Sequence, residues 1–264
     1  RAEIGPIWRQ ALWLAVIVGV LLFAFMRWSP QLLVLMQIDE SIRLPASEFL
    51  YAISWGAPGL ALFFASRYLS EGLSWTHPTL VFGVVALILL VPVGYVLLFG
   101  YGPIPEMGAA GLGYATALIM WLEFLAFAWY LYKSKHFADL GLLSRWDWPK
   151  FSAIKQLLFL GIPMGIAIFM EGSLFVATAL FIGQLGAVDV AAHQIALNVA
   201  SASFMIPLGI ALATTVRVGH AIGARDYSAV RWAMKAGLFL VLITQTLSAL
   251  MLIFAGHWIS SLYT

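Results

Sequence analysis

Seven stretches of this chain stay apolar for about 20 residues at a time, and that leaves few folds open. They lie near 10–28, 48–67, 78–99, 109–132, 156–182, 190–214 and 232–256. A helix of that length rises about 30 Å, the thickness of a bilayer's hydrocarbon core. Backbone in lipid must satisfy its own hydrogen bonds, and no stretch alternates polar with apolar as a strand would. The expected fold is therefore all-α, a polytopic transmembrane helical bundle of about seven spans. Only 10% of the 264 residues are charged, against about 25% in soluble domains. The absence of cysteine removes disulfides, thiol catalysis and thiolate metal sites. A net charge of +2 marks no nucleic-acid partner.

Charge placement orients the bundle. Threading the chain through seven spans puts twelve of the fourteen Lys and Arg on one side, Arg1 and Arg145 among them; Arg27 and Arg43 fall on the other. Basic loops stay cytoplasmic, so the N-terminus is expected inside and the C-terminus outside. The same count argues against a seven-helix receptor or a retinal protein, whose N-terminus lies outside. A retinal protein also needs a mid-span Lys in the last helix, and Lys235 sits at that helix's edge.

A weak internal repeat is present. RAEIGPIWRQALWLAVIV (1–18) and RDYSAVRWAMKAGLFLVLI (225–243) are both basic, Trp-bearing leads into an apolar helix, and Trp8 to Trp232 is an offset of 224 residues. Parallel repeats of this kind build many transporters, and doubling the period gives about 450 residues. The chain is accordingly expected to be part of a longer protein, with the basic stretch 133–155 joining two halves. The opening RAEIGPIWRQ shows no secretory signal.

One residue carries most of the chemistry. Glu171 is the only charge in LLFLGIPMGIAIFMEGSLFVATALFIG (157–183). A carboxylate at mid-bilayer costs about 2.5–3.5 kcal/mol and is kept for ion or proton handling or for a buried contact between helices. Glu171 is the candidate cation or proton site, Na⁺ being the metal ion considered. No other cofactor is implied. Glu123, midway along 109–132, is a secondary carboxylate, read either as a second proton or cation site or as a group facing water or a neighbour. Arg67 and Glu71 have the spacing of an i,i+4 pair.

On the sixth long segment Gln194, Asn198, Ser201 and Met205 fall at i, i+4, i+7 and i+11, one helix stripe. They are candidate substrate-cavity residues, with Phe175 added from the preceding helix; the alternative is interhelical hydrogen bonding worth about 0.6 kcal/mol per bond. Pro58, Pro92, Pro163 and Pro207 are each expected inside a helix. There each removes a donor, frees a carbonyl and bends the axis, and Pro163 and Pro207 are the candidate hinges. Gly161/Gly165 and Gly219/Gly223 have the spacing of close helix contacts. His193 is expected near the outer end of its helix, and His220 in solvent. No catalytic or metal-ligand spacing is apparent, so an enzyme is not expected.

The stretch FLGIPMGIAIFMEGSLFVATALFIGQLGAVDVAAHQIALNVASASFMIPLGIALATTVRVGHAIGARD, with its FMEGSLF, AAHQIALN and PLGIALATTVRVGHAIG blocks, resembles the multidrug and toxic compound extrusion (MATE) family in its NorM-like bacterial branch. The likeness extends more loosely over 67–133, through SEGLSWTHP and GAAGLGYATA, and ends in SSLYT. It implies a two-lobed, pseudo-symmetric, twelve-helix transporter of which this chain is helices three to nine. Residues 1–147 would be the later part of the N-terminal lobe, with four spans and the connector. Residues 148–264 would be the first part of the C-terminal lobe, with three. It also implies that Glu171 is the seventh-helix carboxylate, and that Gln194 and Asn198 are similar to cavity residues of the eighth helix. The family's two Asn around the fifth-helix Pro are replaced by Leu90 and Gly94.

The function expected from the resemblance is cation-coupled (Na⁺ or H⁺) efflux of organic cations and amphiphilic drugs across the bacterial inner membrane, by alternating access. Partners would be drugs, membrane lipid and the rest of the transporter. The alternatives are a lipid-linked oligosaccharide flippase, which would want mid-span Arg and Lys that this chain lacks, and a non-transporting assembly subunit.

Overall fold

The structure, a computed structural model, describes residues 4–35, 40–142, 147–183 and 187–261. Arg1, Arg145 and residues 262–264 of the terminal SSLYT lie outside the described residues. The chain is helical nearly throughout: α1 (Ile4–Trp28), α2 (Pro30–Leu35), α3 (Glu40–Ser54), α4 (Ala57–Gly72), α5 (His77–Phe99), α6 (Gly108–Lys133), α7 (Phe151–Gly183), α8 (Ala187–Gly223) and α9 (Tyr227–Ser261). Among the described residues the only extended pairing is an isolated bridge, Tyr101 to Ile104.

Among the described residues six helices are long and apolar enough to cross a membrane, α1 continuing into α2 as one of them. The pair α3–α4 makes a seventh if counted as one span, but it is bent by 51° at its break. The segment expected near 48–67 is thus two helices with a break between them rather than one helix. Pro58 sits in the first turn of α4, not inside a helix, where its missing N–H costs nothing. Pro92, Pro163 and Pro207 do lie inside helices. Helix starts follow local chemistry where a cap is available: the Asp226 carboxylate accepts from the amides of Ser228 and Ala229 at 3.0 and 2.9 Å and opens α9.

The described chain forms two compact units, 1–160 and 161–264, the boundary falling within α7. In the first unit α6 packs against α3, α4 and α5, and α1 packs against α4. Its interior is aromatic: Phe127 is fully buried and meets Phe63 edge-on at 5.7 Å, with Phe82 at 5.5 Å and Trp8, Leu131, Phe137 and Leu140 in the same cluster. Glycines let these helices close up. A Cβ at Gly111 would strike the Leu97 carbonyl, and one at Gly113 would strike Ala52 and the Phe49 carbonyl. In the second unit the main packing is α8 on α9, where Gly237 lies against Thr214. The close contacts expected at Gly161/Gly165 and Gly219/Gly223 are not formed: nothing lies within 4 Å of where their Cβ atoms would be.

Candidate functional site

Residues 157–183 form a helix despite Pro163 and the glycines at 161, 165 and 172, because in lipid a helix satisfies their backbone within the segment. Pro163 leaves the carbonyl of Phe159 without its usual donor. Two turns further on stands Glu171. The neighbouring hydroxyls are spent within the helix, Ser173 donating to the Met170 carbonyl at 2.8 Å and Thr178 to the Leu174 carbonyl at 2.8 Å. Glu171 has no such internal partner among the described residues. Its side chain is exposed, and so is Phe175, one turn on and on the same face.

An ionised carboxylate open to hydrocarbon is costly, so in a membrane this face of α7 requires water, a cation or a proton. Among the described residues no three His, Asp or Glu side chains gather to hold a metal ion. A cation at Glu171 would therefore complete its shell from neutral oxygens such as water, amides, hydroxyls or freed carbonyls, the hard ligands that suit an alkali ion.

On α8 the stripe Gln194, Asn198, Ser201 and Met205 is exposed along its length. The half-buried residues of the same helix include Ser203, Pro207, Ile210 and Thr214, and Thr214 lies against Gly237 of α9. At about 100° per residue these two sets lie on opposite sides of the helix. Pro207 frees the carbonyl of Ser203, which lies on the side of the helix opposite the polar stripe. His193 keeps a buried Nε2 with no hydrogen-bond partner among the described residues.

The first unit holds the second carboxylate. Glu123 is half-buried on α6, and Arg67 of α4 is the cation whose field reaches it. Arg67 also forms the i,i+4 pair with Glu71, at 2.6 Å. Two residues before Glu123, the Trp121 indole donates to the Trp55 carbonyl at 2.8 Å and so satisfies backbone left open by the α3–α4 break. At the same break Arg27 donates to the Ser54 hydroxyl at 3.1 Å, its guanidinium 5.0–5.4 Å from the rings of Phe23, Tyr51 and Trp55. Sequence reasoning missed both supports. The available signal was a density of Trp and Tyr around Arg27, one of two basic residues on the outer side.

A family model described as MatE matches residues 1–96 and 163–264. The chain is 48% identical over 262 residues to a probable multidrug resistance protein NorM of Xanthomonas campestris pv. campestris, a match covering 99% of this chain and 57% of that protein. It is 38% identical over 261 residues to the multidrug resistance protein PmpM of Pseudomonas aeruginosa, covering 98% and 55%. It spans about half the length of the curated relatives it matches. The fold is similar to a crystal structure of the eukaryotic MATE transporter AtDTX14, with TM-score 0.83 at 18% identity, covering 96% of this chain and 56% of that one. It is also similar to the outward-facing conformation of a multidrug resistance MATE family transporter, with TM-score 0.82 at 20% identity, covering 98% and 56%.

Proposed function

Because the chain belongs to the MatE family, we propose that it is the central part of a cation-coupled multidrug efflux antiporter in the bacterial inner membrane. Residues 1–147 belong to one lobe and 148–264 to the other, with the N-terminus cytoplasmic. The observation that carries the reading is Glu171: the one charge between residues 157 and 183 of a spanning helix, exposed, with its hydroxyl neighbours spent on their own backbone.

Ionised Glu171 binds Na⁺ or a proton in one state and yields to a drug cation in the other. The two occupants compete for the same charge, and a ligand shifts an equilibrium only by its differential affinity for the two states. Phe175 beside the carboxylate and the exposed stripe Gln194, Asn198, Ser201 and Met205 supply the apolar and hydrogen-bonding surface that an amphiphilic cation needs. Pro163 and Pro207, inside α7 and α8, are the hinges for alternating access. Glu123 is a secondary proton or cation site on the first lobe.

The test is ethidium efflux from vesicles bearing the full-length transporter that contains this chain, under an imposed Na⁺ or pH gradient. Glu171→Gln abolishes gradient-driven efflux, a loss of about a hundredfold or more, with expression unchanged. Wild-type coupling in that variant would remove Glu171 from the mechanism.

A further inference from the structure

Arg27 is a cation held without a carboxylate. It stands half-buried in the last turn of α1, and among the described residues the arginines with an ion pair are Arg9, Arg43 and Arg67. Three aromatic rings hold Arg27 instead. Its guanidinium carbon lies 5.0 Å from the ring centre of Phe23, 5.4 Å from Tyr51 and 5.2 Å from Trp55. The electron-rich faces of such rings attract a cation that has left water. Its Nε donates to the Ser54 hydroxyl at 3.1 Å. That hydroxyl is fully buried and gives its own proton to the Tyr51 carbonyl at 2.7 Å, so towards the rings it can only accept.

The cage is held by groups other than Arg27. Phe23 and Trp55 meet with ring centres 5.2 Å apart and planes at 61°. Trp55 stands in the turn between α3 and α4, where its carbonyl accepts from the Trp121 indole at 2.8 Å. Beside it Gly56 presses on α6: a Cβ there would come within 2.7 Å of the Ala117 Cα and of the Met120 sulfur. Tyr51 and Trp55 are nevertheless 42% and 54% exposed, which leaves ring surface open beside the guanidinium. Arg27 itself is on a long flexible stem. Water and the last carbonyls of α1 offer its charge a second resting place.

We propose that the cage of Phe23, Tyr51, Trp55 and Ser54 is a binding site for a small protonated amine, and that Arg27 is its resident stand-in. The inference names a substrate class for the efflux reading above and rests on it; every residue it uses lies within the first unit. An amine entering the cage meets the same three rings and donates its N–H to Ser54, while Arg27 swings to the end of α1. One cation replaces another, so the exchange uncovers no buried anion. Ser54 selects among cations. A quaternary ammonium fits the rings but has no donor, and leaves the buried hydroxyl oxygen short of a partner. A hard metal ion needs several oxygens, and this hydroxyl is one. With the N-terminus cytoplasmic, as proposed, this end of α1 faces outside, where an exported cation is released.

The experiment uses the full-length transporter in nanodiscs. Trimethylammonium is the probe, tetramethylammonium its donor-free match, and NaCl at equal ionic strength the control. Modification of Arg27 by phenylglyoxal, read by mass spectrometry, speeds up about fivefold with trimethylammonium, because the displaced guanidinium is open to the reagent. NaCl leaves the rate unchanged, and tetramethylammonium moves it less. Ser54→Ala and Trp55→Leu loosen Arg27 beforehand, so the rate is high without amine and no longer depends on it. Arg27→Gln empties the cage, and the saturation-transfer signal from the methyl protons of trimethylammonium rises about tenfold; Arg27→Gln/Trp55→Leu loses that gain. Should Arg27→Gln fail to fold, labelling of the wild type decides alone. An Arg27 rate unmoved by trimethylammonium overturns the site, and an equal response to both ammonium ions overturns the donor-bearing class. The two readings fail separately. Wild-type vesicles that show no gradient-driven ethidium efflux, yet in which the amine exposes Arg27, remove the transport reading and leave a cation site. Coupled efflux with Arg27 unmoved removes the site alone.

Discussion

In the first unit α6 is enclosed by α3, α4 and α5, with Phe127 fully buried and polar groups such as Ser54, Ser70, Arg9 and Gln10 buried with partners. In the second, none of the most apolar stretches of α7, α8 and α9 is buried, and Glu171, Gln194 and Asn198 stand open. Both units contain helices apolar enough to span a membrane, so hydrophobicity alone does not explain the difference. The first unit has glycines where helices meet, at Gly19, Gly56, Gly59, Gly111 and Gly113, and side chains that reach across. In lipid, close packing and interhelical hydrogen bonds drive helix association, because burial of apolar surface gains little there. The unit with those features has an interior among its described residues; the other leaves its polar residues exposed.

The sharpest way to break this comparison is to truncate one aromatic in each unit. Phe127→Ala costs about 3–5 kcal/mol in reversible unfolding from mixed micelles, because its cluster cannot collapse around the void. Phe169→Ala, at a position 73% exposed on α7, costs about 0.5 kcal/mol or less. Equal losses would mean that α7 is as tightly packed as α6.

A finer comparison uses glycines. Gly111→Ala forces a methyl against the Leu97 carbonyl and costs about 1–3 kcal/mol by the same assay. Gly161→Ala meets open space and stabilises α7 by up to about 1 kcal/mol through helix propensity. A destabilised Gly161→Ala would reveal a close neighbour at that face.

The smallest effect expected concerns Asn198. Its replacement by Ala weakens equilibrium binding of ethidium to the full-length transporter by about tenfold, or about 1.4 kcal/mol, with no change in unfolding temperature. Parallel loss of affinity and stability would return the stripe to a structural role.

Much of the architecture was legible in advance. The spans near 78–99 and 109–132 coincide with α5 and α6 to within a residue or so, since apolar length and Gly/Pro punctuation are local signals. The stripe on α8 was equally readable, because i, i+4, i+7 spacing places residues on one face whatever surrounds the helix. The break between α3 and α4 was not. Pro58 signals a bend or a first turn with equal force; at the break Trp121 meets the open Trp55 carbonyl and Arg27 meets the Ser54 hydroxyl, both from other helices.

The chain's own order of residues determined that it is helical, that it spans a membrane, and that the carboxylates Glu123 and Glu171 each stand alone in an apolar stretch. These follow from the demand that lipid makes on each segment separately. Only the tertiary structure decided which face of each helix is spoken for and where a compact unit ends. The ties that close the first unit join residues such as Arg9 and Asp147, 138 positions apart. A pairing over that distance has no local pattern to announce it, because it is chosen by geometry and by the cost of leaving a buried charge unpaired.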